Sequence, residues 1–284
     1  MELKFEPAKE LRFEAVHTYI PVEDTRQERL YTTVYEALDE EFGRSVFIKE
    51  VRVRDSIERE QAMWEIKAMT KAEEVTCFTP RIYETFFDTQ KKILYIVMQF
   101  IKGKSLREYM KKTLPMKMLD WMIALCDILS ALEKQNLSSK DIKPENIMIT
   151  SDNVLYLVDF GLSISTPARD VGTKHYRAPE MDTWRNLRET SRNKVDMFSI
   201  GVILYEFFCG ECPRAGYEYD LARRGDAKEW KTFIAPKEKN PNISDSVNDI
   251  IVKCMKLIPK DRYKDAATLK YALMKAKRQS SRIA

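Results

Sequence analysis

The sequence has 284 residues and a formal net charge of +4, which argues against a nucleic-acid-binding surface and against a polybasic membrane anchor. Hydrophobic residues make up 44% of the chain and charged residues 32%, a balance that excludes an intrinsically disordered protein. No apolar run approaches the roughly 18 residues that a transmembrane helix needs. The N-terminus, MELKFEPAKELRFE, is charged throughout and lacks an apolar signal core, so we expect a cytoplasmic protein.

The five cysteines are an odd number, and two of them, Cys209 and Cys212, form a C-x-x-C motif. That motif is typical of half a zinc site or of a redox pair. No second C-x-x-C occurs, and the chain has only two histidines, His17 and His175. We therefore expect free thiols rather than a zinc site.

The first hundred residues have the composition of strands interrupted by one helix. β-branched and aromatic residues in VHTYIPV (16–22), LYTTVYEAL (30–38) and SVFIKEVRV (45–53) predict strands. Helical spacing of apolar residues follows over about 56–72, and ILYIVMQFI (93–101) predicts a buried strand.

Helical patterns dominate after residue 104. SLREYMKK begins a helix with Ser105 at its N-cap. Four longer helical segments follow: WMIALCDILSALEKQ, NKVDMFSIGVILYEFFCG, SDSVNDIIVKCMKLI and DAATLKYALMKAKRQ. We therefore expect an α+β chain with a β-rich lobe over 1–98, a hinge at 99–103 and a larger helical lobe over 104–284. A cleft between two lobes is a common place for a small ligand.

Two short motifs give the strongest indication of chemistry: D-I-K-P-E-N beginning at Asp141 and D-F-G beginning at Asp159. The apolar segments IMI and LYLV flank a turn at 151–153, and the resulting hairpin would bring Asn146 and Asp159 to one edge. An amide oxygen and a carboxylate there suit Mg²⁺. Asp141 is then available to accept a substrate proton, and Lys143 supplies positive charge for a phosphate.

The ordered set of motifs resembles the protein kinase catalytic domain of the serine/threonine type, from about Tyr19 to about Ala276. The resemblance implies a bilobal fold with a small antiparallel β lobe that carries one main helix, and a larger, mostly helical lobe. It implies ATP with Mg²⁺ or Mn²⁺ as cofactors and a protein substrate. From the charge and hydropathy we expect no nucleic acid and no membrane as partners. The oligomeric state stays open.

By the same resemblance, Lys49 binds the α and β phosphates of ATP, and Glu65 pairs with that lysine. Asp141 is the catalytic base and Lys143 contacts the phosphate. The nucleotide site is completed by Val34, Phe47, Met98, Gln99, Ile101 and Met148, and the magnesium ligands are Asn146 and Asp159.

The larger lobe adds a framework that small-molecule kinases lack. The A-P-E motif at 178–180 closes the activation segment, and Arg262 is expected to pair with Glu180. Asp196 matches the buried aspartate of a central helix, and Thr173 matches the threonine that contacts the catalytic aspartate in serine/threonine kinases.

The small-lobe sequence departs from the family pattern at two places. Gln27, Arg29 and Thr32 stand where three loop glycines would lie, and the first glycine in the chain is Gly43. Glycine lets backbone approach phosphate closely, so phosphate contacts should be fewer here. Phe47 stands where a small alanine is usual, and it shares a strand face with Lys49.

The larger lobe departs from the pattern at the usual His-Arg-Asp, which here is Ser139-Lys140-Asp141. Lysine keeps the charge of arginine but loses its bidentate geometry. The sequence therefore gives weaker support for control by phosphorylation of the short segment at 159–180. The candidate phosphorylation sites in this segment are Ser163, Ser165 and Thr166.

Three hypotheses remain from the sequence. The first is an active serine/threonine protein kinase, favoured by the intact set of charged residues. The second is a pseudokinase that senses nucleotide or serves as a scaffold, favoured by the missing glycines and by Phe47. The third is a kinase fold that transfers the AMP part of the nucleotide, which the intact spacing from Asp141 to Asn146 disfavours.

Overall fold

The structure is a computed structural model. It describes residues 15–28, 32–159, 173–181, 193–213 and 230–280. The chain divides into two compact units whose boundary in sequence lies between Lys102 and Gly103. The first unit contains an antiparallel sheet and one long helix, and the second is mostly helical, as the α+β prediction requires. Within the described ranges, no helix is long and apolar enough to cross a membrane.

The sheet of the first unit contains six of the described strands, and neighbouring strands are antiparallel. They are Tyr19–Pro21 (β1), Gln27–Glu28 (β2), Thr32–Asp39 (β3), Arg44–Arg52 (β4), Ile82–Asp88 (β5) and Ile93–Gln99 (β6). The order is β1-β3-β4-β6-β5, and β2 pairs with β3. The strands predicted at 45–53 and 93–101 are confirmed within two residues. The strand predicted at 16–22 is shorter in the structure, where only Tyr19–Pro21 pair with β3 at the edge of the sheet. Ile20 and Pro21 are exposed there.

Successive side chains of strand β4 point to opposite faces of the sheet. Val46 and Ile48 belong to a buried cluster on one face, together with Tyr35, Ala37 and Val97. Phe47 and Lys49 therefore point to the opposite face, as predicted from their spacing.

Helix α1, Ser56–Val75, follows β4 and extends three residues beyond its predicted end. Its first turn is capped by Asp55, whose Oδ1 accepts a hydrogen bond of 2.8 Å from the backbone N–H of Glu58. The buried face of the helix has helical spacing and includes Ala62, Ile66, Met69 and Ala72. Glu65 is buried on this helix as well, although it carries a charge.

The described residues of the second unit form mainly helices, together with one small sheet. The α-helices among the described residues are Leu106–Tyr109 (α2), Pro115–Glu133 (α3), Lys194–Cys209 (α4), Pro236–Lys239 (α5), Asp245–Cys254 (α6) and Ala266–Ser280 (α7). The sheet contains Gly103–Ser105 (β7), Ile147–Thr150 (β8) and Leu155–Leu157 (β9).

The two ends of the predicted hinge lie within strands, because Gln99 is the last residue of β6 and Gly103 is the first of β7. Ser105 occupies the predicted N-cap of α2, but its side chain and its backbone N–H both donate to the Glu108 carboxylate, at 3.1 and 2.8 Å.

Helix α4 lies in the core of the second unit. Every residue from 195 to 205 is buried, in agreement with the nearly apolar sequence. Gly210 ends the helix with a φ of 79°, a left-handed conformation that glycine adopts at little cost.

We predict that Gly201→Ala destabilises the second unit by about 1–3 kcal/mol, because the added methyl group overpacks the core. A Cβ at this position would lie 2.7 Å from Cys254 Cβ and 2.7 Å from Met255 Cγ. Urea unfolding measures the change. An unchanged free energy of unfolding would contradict the close approach of α4 and α6.

Candidate active site

Lys49 and Glu65 form an ion pair within the first unit. Lys49 Nζ lies 2.5 Å from Glu65 Oε1, and their side chains are 14% and 4% exposed. Strand β4 and helix α1 bring the two residues together although 16 positions separate them. A buried charge is costly unless it is paired, so each residue requires the other. The pairing expected from the resemblance is confirmed, and its role in nucleotide binding stays a prediction.

Further predicted nucleotide-site residues share a sheet face with Lys49. Val34 lies directly opposite Lys49 in the β3–β4 ladder, and Met98 lies opposite Phe47 in the β4–β6 ladder. Directly opposed residues of antiparallel strands point to the same face. The structure therefore gathers Val34, Phe47, Lys49 and Met98 on one face. The Phe47 ring is half-buried there.

The remaining predicted nucleotide-site residues lie at the end of the first unit and in the second. The backbone N–H of Gln99 donates to the carbonyl of Arg81 at 2.8 Å, and Ile101 is buried. Met148 is half-buried in β8 of the second unit, opposite Ser105 and Tyr156. Contact of these residues with adenine stays a prediction.

Asp141 lies at the centre of a group of polar contacts in the second unit. Its Oδ2 lies 2.8 Å from Lys143 Nζ and accepts a hydrogen bond of 2.9 Å from Asn146 Nδ2. The turn Pro144–Asn146 brings Asn146 back towards the aspartate. Burial raises the pKa of Asp141, and the neighbouring Asp159 adds to this, while Lys143 and Asn146 oppose it. The sequence-predicted base, phosphate lysine and amide are thus neighbours.

Asn146 and Asp159 flank the hairpin that the sequence predicts. Ile147 pairs with Leu157, and the backbone N–H of Val158 donates to the carbonyl of Asn146 at 3.0 Å. The Asn146 amide nitrogen donates to Asp141, which leaves Oδ1 as the atom suited to a cation. One amide oxygen and one carboxylate fit the few protein ligands that Mg²⁺ takes beside phosphates and water.

Asp196 holds the segment that precedes the proposed base. It is buried on α4, and its carboxylate accepts hydrogen bonds from the backbone N–H groups of Ser139 at 2.9 Å and Lys140 at 2.8 Å. Lys140 has a φ of 62°, a strained conformation for a lysine that these bonds help to maintain. Burial raises the pKa of Asp196 to about 7. The hydroxyl of Ser139 is buried and has no hydrogen-bond partner among the described residues.

Arg262 and Glu180 form the predicted ion pair. The two guanidinium nitrogens Nη1 and Nη2 lie 2.6 and 2.8 Å from the two carboxylate oxygens, a bidentate arrangement. The pair joins the residues 173–181 to the segment before α7.

Several residues named in the sequence analysis lie outside the part of the chain that the structure describes. They are residues 1–14, Arg29, Phe160, Gly161, Ser163, Ser165 and Thr166, together with the side chain of Thr173.

Sequence reasoning missed a second charged cluster. Arg107 on α2 contacts Glu145 of the turn Pro144–Asn146, Glu206 on α4, and Tyr176. The residues come from four segments, with 99 positions between Arg107 and Glu206. A charged residue alone carries no information on such a distant partner, so no local pattern could have revealed the cluster.

Comparison with known proteins agrees with this fold. The family model of the protein kinase domain matches residues 30–274. The chain is 28% identical over 246 residues to a probable serine/threonine-protein kinase of Clostridium acetobutylicum, an alignment that covers 82% of this chain and 36% of that protein. It is 27% identical over 192 residues to the serine/threonine-protein kinase PknB of Mycobacterium leprae, covering 64% of this chain and 30% of that protein.

The six-stranded sheet and long helix of the first unit, together with the mostly helical second unit, are those of a bilobal protein-kinase-like fold. The chain belongs to the protein kinase family. It spans about a third of the length of these curated relatives, at 36% and 30%.

Proposed function

We propose that the chain transfers the γ-phosphoryl group of ATP to serine or threonine hydroxyls of a protein. The observation that carries this proposal is the contact of Asp141 with both Lys143 and Asn146, at 2.8 and 2.9 Å. A half-buried carboxylate between a cation and an amide is oriented to accept the proton of an attacking hydroxyl. The serine/threonine-protein kinases among the relatives support the class of acceptor.

The other residues would position the reactants. Lys49, held by Glu65, binds the nucleotide phosphates, and Lys143 binds the phosphate in transfer. Asn146 and Asp159 would hold Mg²⁺, which neutralises phosphate charge when bound. The proposal further includes a hinge at 99–103, a cytoplasmic location and no nucleic-acid or membrane partner.

Phosphate transfer from γ-labelled ATP tests the proposal. The purified chain is assayed with Mg²⁺ and then with Mn²⁺, both alone and with casein as a generic acceptor. Labelled phosphoserine or phosphothreonine in the product supports the proposal. Intact nucleotide binding without transfer to any acceptor, in the presence of either metal, contradicts it.

A second candidate function is a nucleotide-sensing or scaffold pseudokinase. It is favoured by the half-buried ring of Phe47 on the same sheet face as Lys49. It is also favoured by β2 and β3, whose described residues include no glycine; Gln27 pairs with Val34 across this ladder.

Phe47→Ala is expected to increase ATP affinity, because it removes the ring from the face that Lys49 shares. Titration of ATP with Mg²⁺ while the melting temperature is followed gives the affinity, since a ligand of the native state raises stability by mass action. Phe42→Ala is the matched control, because Phe42 is an exposed phenylalanine of the same unit. An affinity equal to that of the unmodified chain would show that Phe47 does not obstruct the base.

A further inference from the structure

Gln27 lies in the same row of the sheet as Lys49. Gln27 pairs with Val34 in the β2–β3 ladder, and Val34 pairs with Lys49 in the β3–β4 ladder. Directly opposed residues of antiparallel strands point to the same face, so the side chains of Gln27 and Lys49 project from one face on either side of Val34. Two strand spacings separate their Cα atoms by about 10 Å. Two long side chains at this separation can contact one small anionic group that lies over Val34.

The neighbours of Gln27 in sequence confirm which face it uses. Arg26 Nη1 and Nη2 donate to the two carboxylate oxygens of Glu50 at 3.4 and 3.1 Å, and Arg26 Nε lies 3.5 Å from Glu28 Oε1. Glu50 follows Lys49 directly in β4, so its side chain points to the opposite face. Arg26 and Glu28 therefore lie on that opposite face, and Gln27 between them points to the face of Lys49.

The side-chain amide of Gln27 is accessible to a ligand. Gln27 is exposed, and no described residue forms a hydrogen bond with its side chain. A primary amide has two N–H donors, which are the same chemical group as the backbone N–H. Close approach of backbone N–H groups to a phosphate favours glycine, which β2 lacks. A side-chain amide can supply the same kind of donor without that approach.

We propose that Gln27 is a further nucleotide-contacting residue, whose side-chain amide donates to the phosphate groups that Lys49 holds. This inference rests on the proposed kinase function, which assigns the phosphates of ATP to Lys49. A hydrogen bond to a charged acceptor is stronger than one between neutral groups, so a single amide contributes to affinity even from an exposed position. The contact is to phosphate, and the nucleoside part of the ligand gains nothing from it.

The test compares the unmodified chain with Gln27→Ala in titrations of ATP with Mg²⁺ and of adenosine. The melting temperature reports binding, since a ligand of the native state raises stability by mass action. Gln27→Ala should weaken ATP binding about tenfold, the effect of one hydrogen bond to a charged group. Adenosine binding should be unchanged, because adenosine has no phosphate. In the transfer assay the KM for ATP should rise by a similar factor while kcat stays nearly constant.

Gln27→Glu is the second variant, because it keeps the length of the side chain but replaces the donor with a carboxylate that repels phosphate. It should weaken ATP binding more than Gln27→Ala does. Glu28→Ala is the matched control, because Glu28 is the neighbouring exposed residue of β2, pairs with Thr33 and lies on the opposite face. It should bind ATP at least as tightly as the unmodified chain. An equal loss of affinity in Glu28→Ala would mean that any change in β2 disturbs the site, and it would overturn the inference.

Tripolyphosphate with Mg²⁺ separates failure of this inference from failure of the proposed function, because it has phosphates but no adenine for Phe47 to obstruct. If no form of the chain transfers phosphate, the kinase proposal fails, and weaker binding of tripolyphosphate to Gln27→Ala still supports the inference. The inference is overturned if ATP and tripolyphosphate bind Gln27→Ala as tightly as the unmodified chain, or if neither binds the unmodified chain. Equal losses of ATP and adenosine affinity also overturn it, because the contact would then be to the nucleoside.

Discussion

Asp141→Asn is expected to lower the rate of phosphate transfer by about 10²–10⁴-fold, the usual contribution of a positioned general base. The amide keeps the size of the carboxylate but cannot accept the proton of the hydroxyl. Because Lys49 and Glu65 belong to the other compact unit and are unchanged, ATP binding should be largely preserved. The measurement is kcat with labelled ATP, beside the shift in melting temperature that ATP with Mg²⁺ produces.

Asp152→Asn is the matched control, because it makes the same chemical change at an exposed aspartate in the turn between β8 and β9. It should transfer phosphate at the rate of the unmodified chain. Equal activity of Asp141→Asn would refute the role of Asp141 as base.

The pH profile tests the same role. A general base must be ionised, so kcat falls as the pH drops through the pKa of Asp141. Burial raises that pKa above the ordinary value of 3.8, and the acidic limb should therefore lie above this pH. Removal of the limb in the residual activity of Asp141→Asn would assign it to this residue.

Local patterns predicted the elements that position the candidate site. The alternation in β4 placed Phe47 and Lys49 on one face, because the side chains of a strand have a period of two. The turn at 151–153 predicted the β8–β9 hairpin, because two short apolar runs around polar residues have few other ways to pair. The strand alternation and the hairpin both depend on residues that are close in sequence, so both can be predicted from the amino-acid sequence.

Contacts across long sequence separations were predictable only where the resemblance supplied them. The Glu180–Arg262 pair spans 82 positions and was expected from the family pattern. The contacts of Arg107 with Glu145, Tyr176 and Glu206 span up to 99 positions. Glu145 belongs to the D-I-K-P-E-N motif, but no pattern related it to Arg107, and these contacts emerged only from the structure. Strand propensity in turn predicted a longer strand at 16–22 than the Tyr19–Pro21 of β1, because propensity does not reveal that a segment lies at an exposed sheet edge.

Arg262→Ala is expected to reduce the free energy of unfolding by about 3–5 kcal/mol, the usual effect of breaking a buried ion pair. The Arg262 side chain is fully buried and that of Glu180 is 14% exposed. Arg262 also donates to the carbonyls of Lys256 at 2.7 Å, Lys194 at 2.9 Å and Leu257 at 3.2 Å. The substitution therefore leaves a carboxylate and three carbonyls without this partner.

Urea unfolding of Arg262→Ala and of Lys270→Ala separates burial from charge, because both variants remove one cation from the second unit. The Lys270–Asp127 pair is partly exposed, so its loss should cost at most about 1 kcal/mol. Arg262→Lys keeps the charge but supplies one nitrogen instead of three, and it should recover only part of the loss. Equal stability of Arg262→Ala and Lys270→Ala would mean that the bidentate pair adds nothing beyond a surface contact. A full recovery by lysine would mean that charge alone, rather than the geometry of the guanidinium, holds residues 173–181 against the helices that follow.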